Sequence, residues 1–402
     1  MNCLSLINTP FKKTKTLVRV DYNVPFNAEG KITDLTRIKE SLPTINYILK
    51  QGGSIILLSH RGRPNGVKEE KYTLKPCADA LATLLHRPVL FAKDCLGEQT
   101  KKQIDSLQAE EILLLENLRF YPAEEHPNTD PSFAKTLASY GDIYVNDAFG
   151  TAHRKHASTF DLATFFPKKA VAGFLMQKEI LALAKLRNHP KLPFHVIIGG
   201  AKVSSKIGVL TALTNTMQAL YIGGAMAFTF FAALKYSIGD SLYEPDQIET
   251  AKKILEECKK KNISLFLPLD VVVSNGTTFK TVDISEGIEK GWQGMDIGKK
   301  TIALWKQELI KANSIFWNGP LGVFENPSFA EGTFEIAKFL ASLSSERIVG
   351  GGDSIAAIDQ LHLADKFTHI STGGGASLEF LEKGTLPGIE ILSKRNDLVF
   401  GS

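Results

Sequence analysis

The sequence has few cysteines and little net charge for its length. Its four cysteines, Cys3, Cys77, Cys95 and Cys258, are widely spaced and form no C-x-x-C pair. That spacing argues against a disulfide framework or a zinc site and favours a reducing compartment. A net charge of +4 argues against a general polyanion binder, although it allows a local basic site.

The sequence also lacks long apolar segments. No apolar run approaches the ~18 residues that a membrane-spanning helix requires, and the N-terminal stretch MNCLSLINTPFKKTKT contains no segment typical of a secretory signal. We therefore expect a cytoplasmic protein with no membrane partner. The length of 402 residues predicts two domains, since one domain usually takes ~100–200 residues.

Short apolar runs typical of strands alternate with helical patterns almost throughout the chain. Examples are SIILLSH and IYVNDA in the first half, and FHVIIGG and LFLPLDVVV in the second, each interpreted as one strand. This alternation predicts parallel sheets that are covered by helices on both faces. The expected fold is α/β, with two doubly wound parallel-sheet (Rossmann-like) domains joined by a hinge helix.

Glycine is unevenly distributed, because only 9 of the 32 glycines precede Phe174. We place the domain boundary there and predict that the helical run FLMQKEILALAKLRN connects the two halves. The predicted domains are 1–172 and 173–385, with 386–402 returning to the N-terminal domain. The segment near Ala172–Leu186 and the chain end LPGIEILSKRN are the predicted hinge and its return contact.

Cationic and small polar side chains follow the predicted strands of the first half, as in SIILLSHRGRP. Ligands of open parallel sheets bind outside the carboxyl ends of the strands, and the planar arginine fork suits phosphate or carboxylate. We predict a pocket for a small molecule with several negative charges, with Gly62 and Pro64 shaping one turn. The predicted pocket residues are Asp21, Asn23, Arg37, His60, Arg63, Arg119 and Arg154.

The strands of the second half are followed by glycines and then helices, as in IIGGAKVSSKI, YIGGAMAF, VGGGDSIAA and STGGGASLEF. Glycine allows close approach of a ligand, and free N–H groups at a helix start bind phosphate. Lys202 and Lys206 are four residues apart and would share one face of a helix. We predict a nucleotide site. GMDIGKKT is not a phosphate loop, because its glycines are too close and no apolar strand precedes it.

Asp353 follows three glycines at the predicted start of a helix. One interpretation is an N-cap, a position that aspartate favours. The other is a contact to magnesium bound by the nucleotide, since magnesium commonly takes one or two carboxylates together with phosphates. The two interpretations are compatible.

Eight motifs, in order from Val18 to Glu379, resemble those of the phosphoglycerate kinase family. They are VRVDYNVPF, LSHRGRP, ENLRF, NDAFGTAHR, GGAKVSSKI, WNGPLGVFE, GGGDS and STGGGASLE. The resemblance implies reversible phosphoryl transfer between 1,3-bisphosphoglycerate and ADP, giving 3-phosphoglycerate and ATP with magnesium. It also implies a monomer whose N-terminal domain binds the triose acid and whose C-terminal domain binds the nucleotide.

The resemblance also assigns roles to individual positions. The pocket residues of the first half would bind the triose acid, Glu325 the ribose, and Pro320 would lie near the base. The implied nucleotide-binding residues are Gly199, Gly200, Lys202, Lys206, Gly223, Asn318, Pro320, Glu325, Gly351, Gly352, Asp353 and Ser354, with Asp353 also at the magnesium. The implied catalytic residues are Arg37, Lys206, Gly373, Gly374 and Gly375.

Three positions depart from the usual family pattern: Lys299 in DIGK, the order Lys383-Gly384, and Ser205 at a position that is usually acidic. The first two lie outside the transfer centre, and the third concerns the local pairing of Lys206. A carboxylate acceptor has a pKa of roughly 4 and needs no general base, so positioning and charge neutralisation suffice. The alternatives are a kinase for another small acid, a nucleic-acid-binding module, disfavoured by the low net charge, and an inactive scaffold.

Overall fold

A computed structural model describes residues 6–397. Residues 1–5 and 398–402, which belong to the predicted N-terminal domain and C-terminal segment, lie outside the described residues. The chain divides into two compact units: one extends to Ile180 and includes the chain from Thr385 onward, and the other is Leu181–Gly384. Between residues 6 and 397, no helix is both long and apolar enough to cross a membrane.

The first unit contains a six-stranded sheet in the order β3-β4-β2-β1-β5-β6, and all of its strand pairs are parallel. Its elements are β1 (Lys15–Arg19), α1 (Thr36–Lys50), β2 (Ser54–Leu58), α2 (Lys75–Leu85), β3 (Leu90–Phe91), α3 (Glu98–Ser106), β4 (Ile112–Leu114), α4 (Pro122–Glu125), α5 (Ser132–Ala138), β5 (Ile143–Asn146), α6 (Leu162–Thr164) and β6 (Ala170–Ala172).

The helix α7 (Phe174–Asn188) coincides with the predicted helical run, and the division between the units falls within it. The predicted boundary at residue 172 lies just before this helix. The second unit has a parallel sheet in the order β15-β14-β13-β7-β8-β9. Its remaining elements, followed by the last helix of the first unit, are β7 (Phe194–Ile198), α8 (Ile207–Leu213), β8 (Ala219–Ile222), α9 (Met226–Ala233), α10 (Ile248–Lys260), β9 (Ser264–Phe266), β10 (Asp270–Ser274), β11 (Phe279–Asp283), β12 (Gln293–Ile297), α11 (Lys299–Leu309), β13 (Ser314–Asn318), α12 (Glu331–Ser342), β14 (Glu346–Gly350), α13 (Gly352–Gln360), β15 (His369–Ser371), α14 (Gly375–Lys383) and α15 (Pro387–Asp397).

The central strands explain why the apolar runs predicted parallel sheets. Every residue of β2 and of β13 is buried, because helices cover both faces of the sheet and leave no solvent-facing side. Val18, Leu57 and Ile45 lie in one core, and Trp317 lies in the other. The prediction of two doubly wound α/β domains is therefore confirmed.

The prediction that LFLPLDVVV is one strand is wrong. Leu265 and Phe266 belong to β9 of the parallel sheet, whereas β10 begins at Asp270 and is the middle strand of an antiparallel sheet, β11-β10-β12. Pro268 lies between them, and proline lacks the N–H that a continuous ladder needs. The small antiparallel sheet was not predicted.

Candidate active site

The loops that follow β1 and β2 bring several predicted residues of the first unit together. The Arg37 guanidinium, in the first turn of α1, donates to Asp21 Oδ2 at 2.8 Å. Asp21 Oδ1 accepts from the Asn23 N–H at 3.1 Å, and Asn23 Oδ1 accepts from the Gly62 N–H at 2.9 Å. Asp21 and Asn23 therefore hold the two loops and the arginine in place.

The turn after His60 requires glycine at position 62. Gly62 has a φ of +62°, and a Cβ there would lie 2.5 Å from the ring of Tyr72, so the conformation and the space both exclude a side chain. Arg61 turns away to Phe26, with its guanidinium carbon 3.2 Å from the ring centroid. Arg63 is exposed and has no hydrogen bond or ion pair within residues 6–397, so its guanidinium is available to a ligand.

The guanidinium groups of Arg119 and Arg154 share one carboxylate. Glu125 Oε1 lies 3.1 Å from Arg119 Nη2 and 4.0 Å from Arg154 Nη1. Arg119 Nη1 also donates to the Gly62 carbonyl at 2.7 Å, and its buried Nε has no acceptor in the described part of the chain. Sequence reasoning missed Glu125, whose only signal was its position shortly after the ENLRF motif.

His60 was interpreted as one of several cationic residues, and the structure corrects this. Burial, and then the charges of Arg19, Arg119 and Arg37, hold the pKa of His60 well below its usual value. A histidine with such a pKa is neutral near pH 7. His60 can therefore offer a hydrogen bond to a ligand but not a positive charge.

Behind His60 lies a buried polar chain that sequence reasoning did not identify. Arg19 Nη2 is 3.1 Å from His60 Nδ1, and Arg19 Nε donates to Ser158 Oγ at 2.8 Å. Ser158 Oγ in turn donates to Glu124 Oε1 at 2.6 Å. Arg19 stands within the VRVDYN motif, but only its burial distinguishes it from a surface arginine. The chain of contacts orients the His60 ring.

In the second unit, the glycine-rich strand ends line a cleft of about 320 Å³. Position 199 has no room for a side chain, since a Cβ there would lie 2.1 Å from the Pro320 carbonyl oxygen. The cleft has the composition of a phosphate site, with bare backbone and helix starts beside lysines. The predicted residues that line it are Gly199, Gly200, Lys202, Lys206, Asn318, Pro320, Gly351, Gly352, Asp353, Gly374 and Gly375.

The prediction that Lys202 and Lys206 share a helix face is wrong. The helix α8 begins only at Ile207, and both lysines belong to the preceding turn. Lys206 Nζ bonds Asn318 Oδ1, whereas Lys202 is exposed. Burial lowers the pKa of Lys206, and the charge of Asp353 opposes that shift. Both lysines nevertheless line the same cleft.

Asp353 is not the N-cap of its helix. That position belongs to Gly351, which has a φ of +95°, and Asp353 is in the first turn of α13. Its exposed carboxylate faces the cleft. Among residues 6–397 there is no cluster of three or more metal-ligating side chains, so a magnesium ion here would need most of its oxygen ligands from a bound phosphate chain. A single carboxylate fits that arrangement.

A second cleft, of about 250 Å³, continues from the first and is mostly apolar. Gly200, Pro320 and Asp353 line both clefts. Phe228 supplies an aromatic surface, and the exposed Glu325 supplies a carboxylate at the border. An apolar slot that adjoins a phosphate-binding loop has the shape and chemistry of a nucleotide site.

Three residues of the predicted nucleotide and catalytic sets support the clefts without lining them. Gly223 packs beneath Leu321, and Gly224 takes its place in the lining. Ser354 is buried and accepts from the Gly319 N–H at 2.6 Å. Gly373 is also buried and lies just before the glycines that line the phosphate cleft.

GMDIGKKT contains most of β12 and opens α11, and in the described chain no separate strand comes directly before the motif. The start of α11 is nevertheless filled by the protein itself. Asp270 accepts from the N–H groups of Lys300 at 3.1 Å and Thr301 at 2.8 Å. Its carboxylate takes the place that a phosphate would take.

Comparison with known proteins gives the same family as the sequence motifs. The family model described as phosphoglycerate kinase matches residues 6–384. The chain is 49% identical to the phosphoglycerate kinase of Fervidobacterium nodosum over 98% of this chain and 99% of that protein, and 48% identical to that of Chlamydia muridarum over the same shares. The solved phosphoglycerate kinase of Coxiella burnetii superposes with a TM-score of 0.87 at 37% identity, covering 98% of this chain and 100% of that one. That of Pyrococcus horikoshii gives 0.86 at 33% identity, covering 98% and 99%.

Proposed function

This chain belongs to the phosphoglycerate kinase family, and from that premise we propose which of its residues perform the reaction and how. The protein is a phosphotransferase with a carboxyl acceptor. It transfers a phosphoryl group between 1,3-bisphosphoglycerate and ADP, giving 3-phosphoglycerate and ATP, in glycolysis. The gluconeogenic direction is part of the proposal.

The triose acid binds at the loop ends of the first unit. The observation that carries this assignment is the convergence of Arg119 and Arg154 on one carboxylate, beside the exposed and unpaired Arg63 of the described chain. Such forks match the phosphate and carboxylate groups of 3-phosphoglycerate. His60 contributes a neutral hydrogen-bonding group, while Asp21 and Asn23 hold the loops and accept from the ligand.

The adenine nucleotide binds along the two connected clefts of the second unit. The apolar cleft takes the base and ribose, with Pro320 and Glu325 at its lining. The glycine-lined cleft takes the phosphates, with Lys202 and Lys206 as cations. Asp353 would hold magnesium together with the nucleotide phosphates, and the ion would supply charge neutralisation there.

Catalysis consists of positioning and charge stabilisation. The acceptor carboxylate is ionised at neutral pH, so no side chain has to remove a proton. Arg37 from the first unit and Lys206 from the second place positive charge on the transferred phosphoryl oxygens. The free N–H groups of Gly374 and Gly375, at the start of α14, add partial positive charge of the same kind.

The two substrates bind to separate units, so direct transfer requires them to be brought together. Closure about a hinge in α7, with the returning α15 segment, would do this and exclude water. The working form is a cytoplasmic monomer. Solution scattering tests the closure: the radius of gyration should decrease when both ligands are present, and an unchanged radius would refute the hinge.

A coupled assay tests the function directly. ATP-dependent turnover of 3-phosphoglycerate is followed as NADH loss through glyceraldehyde-phosphate dehydrogenase, with and without magnesium. Magnesium-dependent turnover is expected. A folded, nucleotide-binding sample that turns over another small carboxylic acid but not 3-phosphoglycerate would overturn the substrate assignment while leaving the nucleotide site intact.

A further inference from the structure

The segment Asp240–Glu244, named here the strap, lines the apolar cleft through Leu242 and contacts the lysine-bearing turn beside the phosphate cleft through Glu244. The Asp240 N–H donates to the Trp292 carbonyl at 2.8 Å, and the Glu244 N–H donates to Thr229 Oγ1 at 3.1 Å. Between these anchors, Leu242 lines the apolar cleft. The strap is therefore held at both ends, and its side chains face the nucleotide site at one point and the lysine-bearing turn at another.

The contact to the turn is made by the carboxylate of Glu244. Glu244 Oε1 accepts from Ser204 Oγ at 2.5 Å, and Oε2 accepts from the Ser204 N–H at 3.0 Å. Ser204 stands between Lys202 and Lys206. A carboxylate that accepts two hydrogen bonds from one residue fixes both the backbone and the side chain of that residue.

The turn has few other polar anchors. Gly200 at its start bonds the Pro320 carbonyl, and Lys206 at its end bonds Asn318. Ser205 Oγ bonds only the Lys202 carbonyl, inside the turn. In the described part of the chain, Glu244 is the side chain from outside the turn that bonds residues 201–205. These residues lie before α8 and are not stabilised by helix hydrogen bonds.

The charge state of Glu244 agrees with this role. Partial burial alone would raise the pKa of Glu244, but the hydrogen bonds from Ser204 and Val203 and the charge of Lys202 outweigh burial and hold the pKa below its usual value. The carboxylate is therefore ionised at neutral pH, when its hydrogen bonds are strongest.

We propose that Glu244 is a positioning residue for nucleotide phosphates: it fixes the turn through Ser204 so that Lys202 faces the phosphate cleft. The role rests on the nucleotide site proposed above and assigns it a residue that touches neither nucleotide nor triose. It predicts a specific kinetic signature, because loosening Lys202 weakens phosphate binding without disturbing the base or the triose site.

Four variants test this: Glu244→Ala, Ser204→Ala, the double variant, and Asp246→Ala as the matched control. Asp246 is exposed, lies two residues away and has no hydrogen bond or ion pair within residues 6–397. Loss of the charged contact should raise the KM for ATP by about tenfold in Glu244→Ala. The KM for 3-phosphoglycerate should stay unchanged, as should both constants in Asp246→Ala.

The double variant identifies the contact through which Glu244 acts. If Glu244 works through Ser204, the double variant should be no worse than Glu244→Ala, because Ser204→Ala removes only a hydrogen bond that Glu244→Ala has already removed. Additive losses would overturn the positioning role. An unchanged KM for ATP in Glu244→Ala, or an equal rise in both KM values, would do the same.

Ligand probes separate this role from general damage. Inorganic tripolyphosphate, as a competitor of ATP, should lose affinity in Glu244→Ala, whereas adenosine should keep its inhibition constant. An equal loss of affinity for tripolyphosphate and adenosine would indicate a collapsed site and refute the proposal. If Glu244→Ala unfolds, the milder Ser204→Ala variant repeats the test. The nucleotide-site assignment is checked separately with Lys202→Ala: an unchanged KM for ATP there would refute that assignment, whatever Glu244 does.

Discussion

Replacing Arg37 by alanine should separate catalysis from stability more clearly than any other single change in the first unit. The side chain is 34% exposed and pairs with Asp21, whose side chain is 10% exposed, at 2.8 Å. A partly exposed ion pair contributes at most about 1 kcal/mol to folding. After the change, Asp21 keeps its hydrogen bond from the Asn23 N–H, so the loss of stability should stay within that limit.

The effect on turnover should be much larger. A preorganised donor that stabilises charge developing in the transition state contributes roughly 2.7–4 kcal/mol, or about 10²–10³ in kcat. Arg37→Ala should therefore lose turnover by that factor while its free energy of unfolding barely changes. Arg37→Lys should be intermediate, because it keeps the charge and loses the planar fork.

The measurement is kcat in the coupled assay together with urea unfolding of the same samples. Lys39→Ala is the matched control, since Lys39 is exposed on the same helix and its side chain has no bonded partner in the described residues. Near-native kcat in Arg37→Ala would remove Arg37 from the catalytic role. A loss of kcat matched by a large loss of stability would show that Arg37 acts on the fold instead.

Three further predictions concern pH, glycine and magnesium. Burial and the neighbouring arginines lower the pKa of His156 from 6.5 to about 3, so the unfolded chain binds the proton more readily between those values. The free energy of unfolding should fall as pH falls through that window, by up to about 1.4 kcal/mol per pH unit from this group, and urea unfolding should show a shallower fall in His156→Gln. Gly199→Ala should lower the thermal unfolding temperature, because the new Cβ would meet the Pro320 carbonyl. Gly375→Ala has no described atom within 4 Å of its Cβ, so it should keep that temperature and lose turnover. Equal unfolding temperatures in both variants would contradict the steric reasoning. Asp353→Ala should raise the magnesium concentration required for half-maximal turnover, and an unchanged requirement would exclude the magnesium contact.

The pattern of apolar runs predicted the strands well where the strands are central. SIILL has four apolar residues of five and SIFWN has three, and every residue of both is buried, as is typical of strands covered on both faces. The small antiparallel sheet escaped prediction because β11 is mostly exposed and β10 follows β9 after only a brief, proline-containing break. Periodicity does not show which of two sheets a short apolar run joins.

The sequence predicted residues of the candidate site where the functional side chain and the element that positions it belong to one short motif. Arginines after strands and glycines before helices stand side by side in the sequence with the elements that position them. Glu125 and Glu244 were missed because an acidic residue in a predicted anion site has no local signal. Each becomes meaningful only through a partner brought close by folding, as when Glu244 meets Ser204 from 40 residues away.

The sequence by itself determined the α/β class, the family and most residues at the strand ends, because these depend on side chains within a few positions of one another. The tertiary structure decided the strand order, the start of α8 after Lys206, and the pairing of Arg19 with Ser158, which are 139 residues apart. It also decided that His60 is neutral. A pKa depends on burial and on surrounding charges, and packing alone assembles both.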